Sequence, residues 1–144
     1  MPDIYIVAYD GSDASRRTAQ FAAERAKLAH AHLHLVYVLE WSPYSFLTQE
    51  ELAERHQRRT QELERATQFV LTPMAQELTA AGYTVSAEVR YGNVAKTIHE
   101  IAGEKNAKII YIAKSNDSGL ASRLLGNVPG TLIQIANIPV AVVP

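Results

Sequence analysis

Residues 4–9 read IYIVAY, and residues 10–13 read DGSD. The first run is apolar without polar alternation, which is typical of a strand buried on both faces of a parallel sheet. The second run is a cluster of turn formers, in which Ser12 or Asp13 can cap the free amides of a following helix. This opening predicts a strand, a short turn and a helix over residues 14–29, the repeating unit of an α/β fold.

The same alternation continues along the rest of the chain. Apolar runs indicate strands, and residues 83–90 alternate apolar and polar side chains as a strand at a sheet edge does. The further predicted strands are residues 33–39, 83–90, 107–113 and 138–143, and the further predicted helices are residues 48–81, 94–103 and 120–136. The strict β-α order predicts one domain over residues 1–144, with a parallel sheet covered by helices on both faces.

The long helical stretch is expected to be irregular. Residues 50–64 are dense in charge, which predicts a solvated and mobile helix. Pro73 lies inside the stretch and predicts a kink or a break, because proline lacks the amide proton that an α-helix needs. Gly82 is expected to end the helix in a left-handed conformation.

Composition excludes several classes of function. The 144 residues include no cysteine, which removes disulfides, thiolate metal sites and cysteine nucleophiles and fits a cytoplasmic protein. Fourteen basic and fifteen acidic residues give a formal charge of −1, so no global field attracts nucleic acid. The chain begins without the pattern of a signal peptide, and no apolar stretch approaches the roughly 20 residues that span a bilayer.

Two loops are candidates for ligand binding. In open α/β sheets, ligands bind beyond the carboxyl ends of the strands, which is where residues 10–13 and residues 114–119 are expected to lie. Small residues at a helix N-terminus offer free amides to a phosphate, although both loops can equally be ordinary strand-to-helix turns. His32 and His34 share a face at the entry of the second strand, where exposed histidines are expected rather than a metal site.

The chain resembles the universal stress proteins over nearly its whole length. The resemblance is carried by residues 7–12, VAYDGS, by residues 91–93, YGN, and by the C-terminal stretch from residue 112 to residue 144. It implies an adenine nucleotide α-hydrolase-like fold, in which an open, twisted sheet of five parallel strands has the order 3-2-1-4-5. It also implies a non-catalytic regulatory protein of the stress response that can hold ATP or AMP.

The nucleotide-binding members of that family carry Gly, two residues, Gly, nine residues, and then Gly followed by Ser or Thr. Here the spacing is kept at Ala113, Asn116, Gly126 and Asn127, but only Gly126 keeps the family residue. Ala113 adds a methyl group beside the ligand, and Asn127 replaces a hydroxyl group by an amide. The resemblance therefore implies a weakened nucleotide site.

The resemblance also implies further contacts with the nucleotide. Asp10 would contact the adenine or the ribose, and the backbone of Val38 and Ile112 would surround the base. Val128, next to Asn127, completes the predicted set. Without the resemblance, Val38 and Ile112 are read as core residues and Asp10 as a turn former.

Two alternatives remain open at this point. An enzyme of the α-hydrolase type would carry a Ser-Gly-Gly-x-Asp-Ser loop after the first strand, whereas this chain has Asp-Gly-Ser-Asp-Ala-Ser from residue 10. A dimerisation module with an empty crevice is the second alternative.

A homodimer is expected through the last strand. Its β-branched residues would form an apolar sheet edge, which invites pairing with a second copy. The residues concerned are Pro139, Val140, Ala141, Val142 and Val143.

Overall fold

The computed structural model describes residues 1–40, 48–114 and 127–144. Five strands and five α-helices alternate along these residues, and a π-helical segment joins the second and third helices. In chain order they are β1 (Ile4–Ala8), α1 (Asp13–Leu28), β2 (His32–Glu40), α2 (Gln49–Arg65), the π-helical segment (Ala66–Leu71), α3 (Thr72–Ala80), β3 (Val85–Gly92), α4 (Val94–Lys105), β4 (Ile109–Ala113), α5 (Val128–Ile135) and β5 (Val140–Val143).

The strands form one parallel sheet in the order β3-β2-β1-β4-β5, which confirms the predicted fold. β3 lies at one edge, as the alternating pattern of residues 83–90 indicated. β1 lies in the centre, with Ala8 opposite Val36 on β2 and Val7 opposite Tyr111 on β4. The chain therefore adds β2 and β3 on one side of β1 and then crosses back to add β4 and β5 on the other side.

Two hydrophobic cores lie on opposite faces of the sheet. On one face, the alanine-rich side of α1 and residues of α3 such as Met74 pack against odd-numbered strand residues such as Val7 and Leu35. On the other face, Ile98 of α4 and Leu132 of α5 pack against even-numbered strand residues. Helices on both faces are thus confirmed, and they bury every central strand on both sides.

The helix ends follow the local sequence. Ser12 is the N-cap of α1 and accepts a hydrogen bond from the Ser15 amide at 3.1 Å. Gly82 has φ +95°, the left-handed value that the sequence predicted for the residue after the long helix. α4 ends at Lys105, and its C-cap, Asn106, takes the same left-handed conformation with φ +52°.

The predicted helix over residues 120–136 is wrong in its extent. Asn127 is extended, with φ −138° and ψ 168°, and caps a new helix that begins at Val128. Pro129 favours this arrangement, because proline is accommodated in the first turn of a helix and not in its interior. Residues 115–126 lie outside the described part of the chain, which includes the remainder of that predicted helix.

The described residues contain neither a membrane-spanning helix nor a group of side chains placed to hold a metal ion. In the part of the chain that the structure describes, none of the helices combines the length and the apolar character that crossing a bilayer requires. Among the same residues, no group of three or more histidine, aspartate or glutamate side chains is placed to hold a metal ion.

Candidate nucleotide site

A cavity of about 560 Å³ opens at the carboxyl ends of β1, β2 and β4. This is the place where strand order reverses, between β1 and β4, and where open α/β sheets bind ligands. Its volume falls within the range of about 300–1,000 Å³ that is usual for small-molecule sites. The cavity is the candidate functional site.

The structure brings five of the eight predicted site residues to this cavity. They are Asp10, Val38, Ile112, Ala113 and Val128. Asn127 lines an adjoining cavity of about 190 Å³, which shares Glu40, Val94 and Val128 with the larger one. The other two predicted residues, Asn116 and Gly126, lie outside the described residues.

Asp10 is held at the end of β1 by its own loop. Its Oδ1 accepts a hydrogen bond from the Ser12 amide at 2.9 Å, and its own amide donates to Ser15 Oγ at 3.3 Å. Burial alone would raise the pKa of Asp10, but the hydrogen bonds from Ser12 and Ser15 outweigh it and the pKa is lowered. The carboxylate is therefore ionised at neutral pH and accepts hydrogen bonds only.

The turn after Asp10 depends on glycine. Gly11 has φ +83°, a value that residues with a Cβ adopt at a cost, and an added Cβ would lie 3.1 Å from Val70 Cγ1. Val70 belongs to the π-helical segment. The loop that positions Asp10 is thus packed against the junction of α2 and α3.

Val38 lies on β2 beyond the last residue that pairs with β1. The Val36 carbonyl accepts from the Tyr9 amide at 2.8 Å, and the His32 amide donates to the Asp3 carbonyl at 2.8 Å. Even-numbered residues of β2 therefore direct their backbone groups toward β1. Because the ladder with β1 ends opposite Val36, the N–H and C=O of Val38 point past the end of β1 toward the cavity.

Ile112 offers the cavity a different group from the one that the family resemblance implied. The Ile110 amide donates to the Pro139 carbonyl at 3.0 Å and the Lys114 amide donates to the Val143 carbonyl at 2.7 Å. Even-numbered residues of β4 therefore direct their backbone groups toward β5. Ile112 contributes an apolar side chain to the cavity wall, and the backbone groups of Ala113 face the side of β1.

Part of the Asn127 side chain is already engaged in capping α5. Its Oδ1 accepts a hydrogen bond from the Gly130 amide at 2.7 Å, which caps α5. The amide group of the side chain keeps its N–H donors for another partner. Asn127 thus caps α5 through its side-chain oxygen and keeps its side-chain N–H donors at the helix N-terminus.

Sequence reasoning missed Glu40 and Ser15. Glu40 is the last residue of β2 and lines both cavities, and Ser15 lies in the first turn of α1 and lines the larger one. The position of Glu40 two residues after Val38 was an available signal, since alternate strand residues share a face. Lys114, the first residue of the second candidate loop, also lines the larger cavity.

The expectation of exposed histidines at the entry of β2 is wrong for His34. Its side chain is buried, with 3% of its surface exposed. Nδ1 lies 2.6 Å from Ser86 Oγ, and Nε2 lies 2.7 Å from Glu88 Oε1. Partners on β3 thus satisfy both ring nitrogens of His34, which compensates for its burial.

The fold and the place of the cavity define the class of protein: an open, doubly wound α/β protein with a parallel sheet. Residues 1–144 match the family model described as the universal stress protein family. The chain belongs to the universal stress protein family.

Named relatives agree with this assignment, and solved structures agree with the fold. A universal stress protein of Methanocaldococcus jannaschii is 31% identical over 138 residues, which cover 96% of this chain and 79% of that protein. A universal stress protein solved in complex with cAMP has a TM-score of 0.70 at 22% identity, over 99% of this chain and 96% of the other. One from Archaeoglobus fulgidus, solved with dAMP, has a TM-score of 0.67 at 21% identity, over 100% of this chain and 98% of the other.

Proposed function

We propose that this protein is a non-catalytic, regulatory universal stress protein that binds ATP or AMP weakly in the larger cavity. The observation that carries the proposal is the convergence of Asp10, the Val38 backbone and the start of α5 on one cavity at the switch point of the sheet. Structural neighbours that bind cAMP and dAMP support an adenine nucleotide as the ligand class.

The adenine base would lie against the end of β2. Its edge offers an amino donor beside a ring-nitrogen acceptor, and the Val38 backbone offers a C=O acceptor beside an N–H donor. Ile98 and Ile112 supply apolar walls for the faces of the ring. Asp10, ionised and already fixed by Ser12, would accept hydrogen bonds from the ribose hydroxyl groups.

The phosphates would lie toward the start of α5. The dipole of that helix and the Val128 amide favour an anion, and the side-chain N–H groups of Asn127 add donors, although Pro129 has no amide proton and the Gly130 amide already donates to Asn127 Oδ1. Two features weaken the site: the Ala113 methyl group takes room beside the backbone, and the Asn127 oxygen remains bonded to Gly130. The carboxylate of Glu40 adds a negative charge to both cavities.

We also propose a cytoplasmic homodimer built from one domain of residues 1–144. β5 is an edge strand, and 39% of the surface of Val142 is exposed there. Two copies of the edge would pair antiparallel about a two-fold axis, starting after Pro139, which has no amide proton to donate. The residues that would form this interface are Val140, Ala141, Val142 and Val143.

The variant Asp10→Asn tests the proposed nucleotide site. It keeps an oxygen for the Ser12 amide and removes the charge, so the loop is preserved while the ribose contact is weakened. We expect AMP affinity to fall by one to two decades, as the loss of roughly 1.5–3 kcal/mol for a charge-assisted hydrogen bond predicts. Asp3→Asn, an exposed carboxylate outside the cavity, is the matched control.

The measurement is the titration of AMP and ATP into each purified protein, with analysis of any nucleotide that copurifies. Wild-type protein that binds neither nucleotide at millimolar concentration would contradict the proposal. Equal affinity in Asp10→Asn and the wild type would remove Asp10 from the site.

A further inference from the structure

A second group of polar side chains lies on the sheet face that packs against α4, at the edge formed by β3. Ser86 and Glu88 lie two residues apart on β3, and the ring of His34 lies between them on β2. None of these three residues lines the larger cavity. This group therefore has no part in the proposed nucleotide site.

The geometry is that of a nucleophile, a base and an orienting carboxylate. Ser86 Oγ lies 2.6 Å from His34 Nδ1, and His34 Nε2 lies 2.7 Å from Glu88 Oε1. Serine and histidine within hydrogen-bond reach, with the histidine oriented by a third group, are the signature of an activated hydroxyl nucleophile. Here the serine is on Nδ1 and the carboxylate on Nε2.

The protonation states fit this arrangement. Burial would raise the pKa of Glu88, but hydrogen bonds from His34 and Arg90 outweigh it, so its pKa is lowered and the group is a carboxylate. Burial lowers the pKa of His34 more than Glu88 raises it, so the ring is neutral at pH 7. A carboxylate can only accept, so Nε2 carries the proton and Nδ1 accepts from the Ser86 hydroxyl group.

The orienting carboxylate is itself held in place. Arg90 Nε donates to Glu88 Oε2 at 3.0 Å, and Arg90 Nη2 donates to Glu104 Oε2 on α4 at 2.6 Å. Glu88 is thereby fixed from two sides, by His34 and by Arg90. A base whose orientation is fixed in this way loses little freedom when it accepts a proton.

The serine is reachable from solvent although the base is buried. Ser86 is exposed and lies on an edge strand. The Leu33 amide donates to the Thr84 carbonyl at 2.9 Å, so even-numbered residues of β3 direct their backbone groups to β2. The amide of Ala87 therefore faces the open edge beside Ser86, where it can donate to a developing oxyanion.

We propose that Ser86 is an activated nucleophile that accepts acyl groups from esters with good leaving groups. Ser86 Oγ attacks the carbonyl carbon while its proton passes to His34 Nδ1. The bond between that carbon and the ester oxygen then breaks, and His34 returns the proton to the departing oxygen. The product is an ester on Ser86, and the reaction requires no oxidant, reductant or metal.

The probe is p-nitrophenyl acetate, with the release of p-nitrophenol followed by absorbance and the acetylated residue located by peptide mass spectrometry. We expect acetylation of Ser86 in the wild type and its loss in Ser86→Ala. Thr84→Ala removes an exposed hydroxyl group two residues away and should react as the wild type does. His34→Gln should slow acylation of Ser86 by about 10²-fold or more, the usual contribution of a general base.

The variant Glu88→Gln distinguishes a role of Glu88 in orienting His34 from a role in the stability of the fold alone. His34 faces Glu88 and Arg90 on β3 and Lys105 on α4, and Glu104 reaches it through Arg90. The acylation rate should fall with decreasing pH as His34 takes up a proton. Loss of the neighbouring negative charge should lower the pKa of His34 in Glu88→Gln. The midpoint of the pH–rate profile should therefore shift to lower pH, which a purely structural role of Glu88 would not cause.

Two results would overturn the proposal. The first is acetylation confined to lysine residues and the N-terminus, with none on Ser86. The second is acetylation of Ser86 at one rate in the wild type and in Glu88→Gln, with an unshifted pH midpoint. If His34→Gln does not fold, Glu88→Gln and Ser86→Ala still decide between these results.

Discussion

His34 shows how one buried polar side chain is accommodated in a sheet. Its two ring nitrogens bond to Ser86 and Glu88, which follow it in the chain by 52 and 54 residues. Leaving either nitrogen unpaired in the core would cost about 1–3 kcal/mol. The strand pair β2–β3 thus contains a polar contact in addition to its backbone ladder.

The pH dependence of stability follows from this contact. The pKa of His34 is lowered in the folded protein, chiefly by burial, so the unfolded chain binds more protons than the folded one below its ordinary pKa of about 6.5. The free energy of unfolding should therefore fall as the pH is lowered from neutrality through that range. Glu88, whose pKa is also lowered, adds a further loss of stability at more acidic pH.

Urea denaturation at neutral and mildly acidic pH measures this effect. His34→Gln, which does not titrate, should show a shallower loss of stability, whereas His56→Gln on exposed α2 should follow the wild type. A wild-type stability that rises on acidification to pH of about 5.5 would contradict the sign of the linkage.

Gly92 and Gly103 form a matched pair of glycines. Gly92, in the stretch that resembles the family turn, has φ +155°, and an added Cβ would lie 2.5 Å from Thr97 Oγ1. Gly103 is in α4, and an added Cβ would meet nothing within 4 Å. We expect Gly92→Ala to destabilise the protein by about 1–3 kcal/mol and Gly103→Ala to stabilise it by about 0.5–1 kcal/mol.

Thermal and urea unfolding of the two variants test this expectation. A loss of stability in Gly103→Ala equal to that in Gly92→Ala would show that the contact with Thr97 does not set the requirement for glycine.

Single positions differ in how far the sequence predicts them. Ser12 as a helix cap and Gly82 as a helix end follow from their neighbours in the chain, and both are confirmed. The burial of His34 depends on Ser86 and Glu88, which only the register of β2 with β3 brings together. Local patterns cannot supply that information.

The long second helical stretch joins a solvated part to a buried part. None of the residues of α2 is buried, whereas α3 places Met74 and Leu78 in the core. Between them the backbone becomes π-helical, and the Thr72 amide bonds to the Thr67 carbonyl, five residues back. Pro73 follows this segment, whose wider turn accommodates a residue that has no amide proton to donate. The sequence predicted a kink or a break at Pro73, whereas the backbone stays helical at Leu71 and Thr72 and the helix changes type instead.

Amide hydrogen exchange should be faster in α2 than in the strands. α2 contributes few buried apolar contacts, so its local opening should cost little free energy. We expect amides of residues 50–64 to exchange far faster than those around Ile110, which is fully buried in β4. Exchange as slow in α2 as in β4 would contradict this expectation.

Four strands follow from the sequence because each is an apolar run of its own, and β3 follows from its alternating pattern, whereas the strand order was implied by the family resemblance. The start of α5 was missed because the apolar residues on both sides of it were taken as one helix, although Asn127 and Pro129 are typical of a helix start. The capping bond from the Gly130 amide to Asn127 sets the boundary. Helix ends inside one periodic run are set by such bonds rather than by hydrophobicity.

The proposed dimer concerns the molecule as a whole. If β5 pairs with itself, Val142→Lys should place a charge in the interface and produce a monomer. Phe69→Lys changes an exposed apolar residue on the π-helical segment and should leave the dimer intact. Light scattering after size-exclusion chromatography gives the masses, and a wild-type monomer at micromolar concentration would contradict the proposal.

The larger cavity was foreseen only in part. Asp10 and Ala113 were placed by the ends of their strands together with the family resemblance. The backbone direction of Ile112 and the second role of Asn127 required the β4–β5 ladder and the cap of α5. These two residues show why spacing alone does not determine which atoms face a ligand.

Calorimetric titration of ATP into the wild type and into a variant with the family motif restored tests the central claim most directly. The variant combines Ala113→Gly, Asn116→Gly and Asn127→Ser, which should make room beside the backbone and provide a hydroxyl group near the phosphates. We expect weak binding by the wild type and binding tighter by about one to two decades in the variant, the equivalent of one charge-assisted hydrogen bond. Micromolar or tighter binding by the wild type, unchanged in the variant, would show that the site is not weakened, and the absence of binding in both would contradict a nucleotide site in this cavity.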